Sequence, residues 1–240
     1  MADPEQSSHG HPEGVPVARP DPVAAPSLSA GEVDPRLASV LARSQQRGLL
    51  GPGAIEIHVA NARAFATAIL TEGAAWPDRL LDLGSGGGVP GLVLAAEHPS
   101  GEVLLLDAAR RRTDVLDAAV AELGMGGRVR VLHGRAEELA RDPALRRSVE
   151  VVTSRSFGRP AVTAECAAGF LTGPGARLLV SEPPRPEPGR WPAQGLELLG
   201  LVTGPRLEAA GTTIQCLEVA DPCPDRFPRR AGIPDRRPLF

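Results

Sequence analysis

The chain has 240 residues and a formal net charge of −3, and all 26 of its basic side chains are arginine. That balance excludes a polycation that coats nucleic acid by charge alone, and without an apolar signal core or a run of about 18 apolar residues neither a signal peptide nor a membrane span is expected. Three scattered cysteines, Cys166, Cys216 and Cys223, form no C-x-x-C pair and have no histidine at ligand spacing, so neither zinc nor a disulfide framework is expected and the compartment is read as a reducing cytoplasm.

Glycine (27) and proline (25) together exceed a fifth of the chain, against roughly 12% in average usage. Residues 1–33 hold much of the proline (Pro4, Pro12, Pro16, Pro20, Pro22, Pro26) and are predicted to be a disordered tail with too few apolar residues to offset the entropy of ordering. Asp34 and Pro35 are a cap-and-first-turn pair. Leu37, Val40 and Leu41 then follow at helical spacing up to Gly48. A second helix is predicted from Ala54 to about Thr71, with Ile55, Val59, Ala62, Ala66 and Ile69 on one face.

From Arg79 the texture alternates. Short apolar runs at 80–83, 103–106, 129–132, 149–153 and 177–180 are separated by helical stretches at 90–97, 109–123, 136–140 and 160–171. Strands apolar on both faces belong to a buried parallel sheet, and regular β-α alternation gives a doubly wound α/β domain over residues 34–220. Residues 196–202 and 212–219 read as a closing β-hairpin without a helix between them. Residues 221–240 form an Arg-rich C-terminal tail.

The run Leu80-Leu81-Asp82-Leu83-Gly84-Ser85-Gly86-Gly87-Gly88-Val89-Pro90-Gly91 follows a strand and opens a helix. Such a glycine loop lets backbone approach a ligand closely, Pro90 suits the first helical position, and the free N–H groups of the first turn favour an anion. Two cofactors compete for it. The dinucleotide spacing G-x-G-x-x-G is met at Gly84 and Gly86 but falls on Val89 at the third position. The spacing Asp-x-Gly-x-Gly-x-Gly is met at Asp82, Gly84, Gly86 and Gly88, and it resembles the first motif of class I methyltransferases that use S-adenosylmethionine. Asp107 ends the second run about 20 residues on, where a carboxylate can accept from ribose hydroxyls or cap the next helix. The loop at 134–138 (Gly-Arg-Ala-Glu-Glu) falls where the adenine edge would lie, and Arg155 falls at the mouth of the same crevice or in a surface ion pair.

Taken in order, these elements resemble the bacterial RsmG (GidB) family, whose members methylate a guanine N7 in 16S ribosomal RNA. The run from Asp82 to Gly91 is similar to that family's glycine loop. Gly-Arg-Ala-Glu-Glu at 134–138, Val-Thr-Ser-Arg at 152–155 and the ending Phe-Pro-Arg-Arg-Ala-Gly-Ile-Pro at 227–234 also match. The resemblance implies a Rossmann-like class I methyltransferase sheet preceded by helices. It also implies S-adenosyl-L-methionine contacts at Gly84, Gly86, Val89, Asp107, Ala136, Glu137 and Arg155, no metal, and ribosomal RNA or the small subunit as partner. A monomer is expected. Two elements depart from the family on the substrate side. Ile57-His58-Val59-Ala60-Asn61-Ala62 keeps only the His and Asn of its motif. Val180-Ser181-Glu182-Pro183-Pro184 stands where members carry Leu-Lys-Gly, placing an acid where a cation would meet phosphate.

Guanine N7 is an acceptor with no proton to remove, so its methylation is mostly positioning. No catalytic residue is assigned, and His58 reads as structural or substrate-positioning. The tail from Pro224 carries five arginines against Asp225 and Asp235 and includes Phe227 and Phe240, which could stack on bases. It reads equally as an RNA contact or as a packed tail with surface ion pairs. The alternatives to the rRNA enzyme are a paralogue acting on another RNA or a small molecule, and a non-catalytic cofactor- or RNA-binding protein.

Overall fold

A computed structural model describes residues 32–183, 185 and 188–240. All but the last two residues of the Pro-rich head lie outside the described residues.

Two helices precede the sheet. In α1 (Pro35–Gln46) the Asp34 carboxylate accepts from the N–H groups of Arg36 and Leu37 at 2.7 and 3.1 Å, so the expected cap forms. Gly48, at φ +71°, ends it, because that left-handed turn is cheap only for a residue without Cβ. The second helix, α2 (Ile55–Ile69), buries the predicted face of Val59, Ala62, Ala66 and Ile69.

Seven strands follow: β1 (Arg79–Leu83), β2 (Glu102–Asp107), β3 (Val129–His133), β4 (Val151–Ser154), β5 (Arg177–Glu182), β6 (Leu201–Ala209) and β7 (Thr212–Val219). Their spatial order is β3-β2-β1-β4-β5-β7-β6. β1 to β5 are parallel neighbours, and β7 enters antiparallel between β5 and β6. This is the class I methyltransferase arrangement with its antiparallel C-terminal hairpin, and it differs from the 3-2-1-4-5-6 order of dinucleotide-binding folds.

Side chains alternate across the sheet, so each strand feeds two cores. Leu80, Val103 and Leu105 pack under α1, α2, α3 (Gly91–Glu97) and α4 (Arg110–Glu122). Leu81, Leu83, Leu104 and Leu106 pack under α5 (Ala136–Leu139), α6 (Pro160–Ala168) and α7 (Ala193–Glu197). The three cysteines lie buried and unbonded within these layers.

The hairpin differs from expectation. Residues 193–197 form α7, and β6 starts only at Leu201. Leu196 and Leu199 are buried three residues apart, a helical spacing, and Gly200 at φ +76° turns the chain into the strand. β6 runs to Ala209, beyond the predicted end at Val202, and passes through Gly204 and Pro205. β6 is an edge strand with a register shift between Thr203 and Arg206, and an edge with a bulge is where a strand tolerates proline.

Candidate cofactor site

The C-terminal ends of β1, β2, β3 and β4 lie side by side, and the motif residues cluster there. Gly84, Gly86 and Gly88 all adopt positive φ, at +76°, +53° and +99°, so the loop folds back over the end of β2. The N–H groups of Gly84 and Ser85 both donate to Leu106 O at 2.9 Å. Gly86 N–H donates to Asp107 Oδ2 at 3.0 Å. A first side-chain carbon at Gly84 would lie 2.6 Å from the Phe157 ring, so this close approach also requires glycine.

The start of α3 departs from the sequence reading in two ways. The helix begins at Gly91, and Pro90 precedes it as the cap residue. The anion at this helix start is the protein's own: Gly91 N–H donates to Asp82 Oδ2 at 3.0 Å, and Leu92 N–H returns to Gly88 O at 2.9 Å. These two N–H groups of the first turn are therefore taken inside the chain. Thr153 Oγ1 donates to the other oxygen, Asp82 Oδ1, at 2.9 Å. Asp82 is 1% exposed. Burial pushes its pKa up to about 6, while hydrogen bonds from Thr153, Ser85 and Gly91 pull the other way. A Cβ on Gly91 would fall 2.5 Å from that of Asp82. The motif's first Asp and last Gly are thus one contact that locks β1 to α3 and, through Thr153, to β4.

Asp107 is 3% exposed. Besides the Gly86 bond, its Oδ2 lies 3.3 Å from Arg112 Nη1, and its Oδ1 accepts from Ala109 N–H at 2.9 Å. Asp107 does not cap the next helix as the sequence also allowed: α4 starts at Arg110 with Ala109 as its cap residue, and Oδ1 keeps a lone pair for a further donor. Gly134 N–H donates to Asp107 O at 3.1 Å, which ties the loop after β3 to the same corner. Val89 and Ala136 are buried at 7% and 3%, so they offer backbone and a small apolar surface. The Glu137 carboxylate turns away from the crevice: Arg135 Nη2 and Gly232 N–H both reach its Oε1 at 2.9 Å. Burial works to raise its pKa, but the Gly232 and Arg135 contacts outweigh it and hold the carboxyl below the usual range.

At the end of β4, Arg155 Nη2 lies 3.5 Å from His58 Nδ1, and His58 Nε2 donates to Gly51 O at 3.0 Å. Burial and then the Arg155 charge push the His58 pKa down, so the ring is neutral at pH 7, with its bare nitrogen toward the guanidinium. The bare Nδ1 can accept from the Arg155 guanidinium, and the ring thereby ties α2 to the end of β4. Arg155 Nη1 and Ser154 Oγ are buried without a hydrogen-bond partner among the described residues. Buried polar atoms of this kind call for a partner that the chain itself does not supply. Ser156 turns the chain directly after them at φ +56°, a conformation rare for a side chain with Cβ and concentrated at functional sites. Ser154, Phe157 and Thr153 were not singled out individually. Two polar residues ending an otherwise apolar strand were the available signal.

On the substrate side, Asn61 Oδ1 accepts from Thr212 Oγ1 at 2.5 Å and pins α2 to the hairpin. The Glu182 carboxylate is enclosed. Trp191 Nε1 donates to Oε1 at 2.7 Å, and Arg190 Nε lies 2.9 Å from Oε2. The acid expected to repel phosphate is neutralised by the segment that follows β5. The base-stacking reading of the tail aromatics is also corrected. Phe227 is 5% exposed in the core, and Phe240 packs on Gly195, because both rings fill apolar space under the sheet.

The family described as rRNA small subunit methyltransferase G matches residues 54–181. Among similar proteins, the ribosomal RNA small subunit methyltransferase G of Prochlorococcus marinus (strain MIT 9313) is 37% identical over 169 residues, 68% of each chain. That of Streptococcus gordonii is 32% identical over 166 residues, 67% of this chain and 70% of its own. The fold is also that of an O-methyltransferase from Bacillus cereus solved with SAH (TM-score 0.54, 15% identity, 78% of this chain and 92% of that one). An O-methyltransferase from Streptomyces achromogenes solved with SAM is similar (TM-score 0.53, 17% identity, 79% and 92%).

Proposed function

The chain belongs to the rRNA small subunit methyltransferase G family, and from that premise we propose which residues hold S-adenosylmethionine and present it to guanine N7 of 16S ribosomal RNA. The observation that carries the assignment is the pair of unpartnered buried donors, Arg155 Nη1 and Ser154 Oγ, at the same sheet edge as the glycine loop. They fit the cofactor's carboxylate end. Asp107 Oδ1 accepts from a ribose hydroxyl beside the Gly84–Gly86 turn. Val89 and the backbone of Ala136 and Glu137 border the adenine, and the Glu137 carboxylate fixes that loop from behind by holding Gly232.

When bound, S-adenosylmethionine supplies an electrophilic methyl group. Guanine N7 presents a lone pair in the plane of the base and has no proton to lose. The chain therefore needs only to hold the reactants in line and keep the site rigid. The buried Asp82–Gly91–Thr153 lock and the neutral His58 behind Arg155 are consistent with that demand.

Two measurements test this reading. Calorimetric titration should show saturable binding of S-adenosylmethionine and none of NAD. Incubation of unmodified small subunits with the protein and labelled cofactor should place the label in N7-methylguanosine of 16S rRNA. Cofactor binding with no label in rRNA would move the substrate to another RNA or a small molecule. No binding at all would leave a non-catalytic protein.

A further inference from the structure

The C-terminal tail is held down along its length. Arg146 donates to the carbonyls of Phe227, Cys223 and Pro224. Arg141 donates to those of Pro228 and Arg226. Arg229 makes a two-toothed pair with Glu165, with Nε 2.9 Å from Oε1 and Nη2 2.6 Å from Oε2, and its own N–H reaches Oε1 at 2.8 Å. Glu165 is fully buried. A last short helix, α8 (Ile233–Arg236), follows. It is fixed to the loop after β3 by the Gly232–Glu137 bond and to the start of α6 by Arg159 and Asp235, 3.2 Å apart. The tail is thus a strap laid over the loops that follow β3 and β4, on the edge of the sheet that carries the cofactor residues.

This anchoring sorts the charges. Both tail acids are taken by arginines of the domain, Asp225 by Arg146 and Arg147 and Asp235 by Arg159. Arg230, Arg236 and Arg237 are exposed and have no hydrogen-bond or ion-pair partner for their side chains among the described residues. Most arginines elsewhere are engaged, as in Arg63–Glu97, Arg79–Glu102 and Arg130–Glu102. Like charges held together on a fixed backbone repel each other unless a polyanion meets them. A backbone fixed in advance also removes the ordering cost that a loose basic arm would meet on binding.

We propose that the strap is a preassembled contact for the RNA sugar–phosphate backbone, with Arg230, Arg236 and Arg237 holding the phosphates that flank the target guanine. The proposal rests on the rRNA reading above and adds the surface by which the substrate is gripped.

The test is the triple variant Arg230→Gln/Arg236→Gln/Arg237→Gln, with a triple Arg→Lys counterpart, each assayed for cofactor affinity and for small-subunit rRNA binding across a salt series. Cofactor affinity should match wild type. RNA affinity in the Gln variant should fall at least about tenfold at low salt, and the slope of log K against log[salt] should flatten by about 2, since each phosphate contact contributes about 0.7–0.9. The Lys variant should keep most of the slope. A Gln variant with wild-type slope and affinity would overturn the strap while leaving the rRNA reading intact. A Gln variant that loses cofactor binding or melts early would overturn it too, because these side chains would then be structural. If wild type itself neither binds nor methylates rRNA, the substrate reading falls first and the strap falls with it.

Discussion

Asp82→Asn separates the structural lock from the charge it carries. The wild-type carboxyl is enclosed, and its pKa is raised from 3.8 to about 6, chiefly by burial. A carboxyl whose folded pKa lies above its unfolded value binds more protons when folded. Its contribution to stability is therefore complete below about pH 4 and is lost as pH rises through about 6. The full shift corresponds to about 3 kcal/mol at about 1.4 kcal/mol per pKa unit, of which about 1 kcal/mol is lost between about pH 5 and about pH 7. Asparagine keeps the shape. Its carbonyl oxygen can accept from Gly91 N–H, and its amide can donate to the Thr153 hydroxyl, which rotates to accept. Urea unfolding at both pH values should find Asp82→Asn more stable than wild type near neutral pH, by a margin that shrinks by about 1 kcal/mol on going down to about pH 5. A margin independent of pH, or a variant less stable than wild type at neutral pH, would refute the buried-charge account of this residue.

The other predictions concern the same framework. Asp107→Ala removes the acceptor for Gly86 and Ala109 N–H groups as well as the proposed ribose contact, so calorimetry should show S-adenosylmethionine affinity down by about 10- to 100-fold, from about 1–3 kcal/mol of unsatisfied donors. Gly91→Ala drives a Cβ to 2.5 Å from that of Asp82 and 2.6 Å from Leu105 Cδ2, so soluble yield and melting temperature should both fall, with a cost above about 4 kcal/mol. Arg229→Ala leaves Glu165 buried without its cation and should cost about 3–5 kcal/mol in denaturant unfolding. His58→Gln should lower kcat less than tenfold and leave the shape of the pH–rate profile unchanged, since a ring that only positions Arg155 transfers no proton; a lost limb in that profile would restore it as an acid or base.

Much of this architecture is legible along the chain because its causes are local. Alternating apolar runs and helical stretches dictate a two-faced parallel sheet. The Asp34–Pro35 start of α1 needs only its own side chain. The glycine loop and the acid ending β2 announce a cofactor crevice by spacing alone. The failures were at places where distant segments decide. Pro205 is tolerated because β6 is an edge strand, and residues 193–197 coil into α7 because Leu196, with Leu199 just past the helix end, is buried in the core under the sheet.

What the sequence determined by itself is the class of fold, which follows from periodicity, while the identity of the cofactor came from the resemblance of its motifs to a known family. Only the tertiary structure decided how each polar group is occupied. It gives the Gly91 N–H to Asp82, turns Glu137 toward Gly232, neutralises Glu182 with Arg190, and buries Phe227. It also divides the arginines, pairing most of them and leaving Arg230, Arg236 and Arg237 free on a pinned strap. Hydrogen bonds and ion pairs act over about 3 Å, and pairs such as Glu137–Gly232 and Glu165–Arg229, 95 and 64 residues apart, leave no mark in local sequence of having found each other.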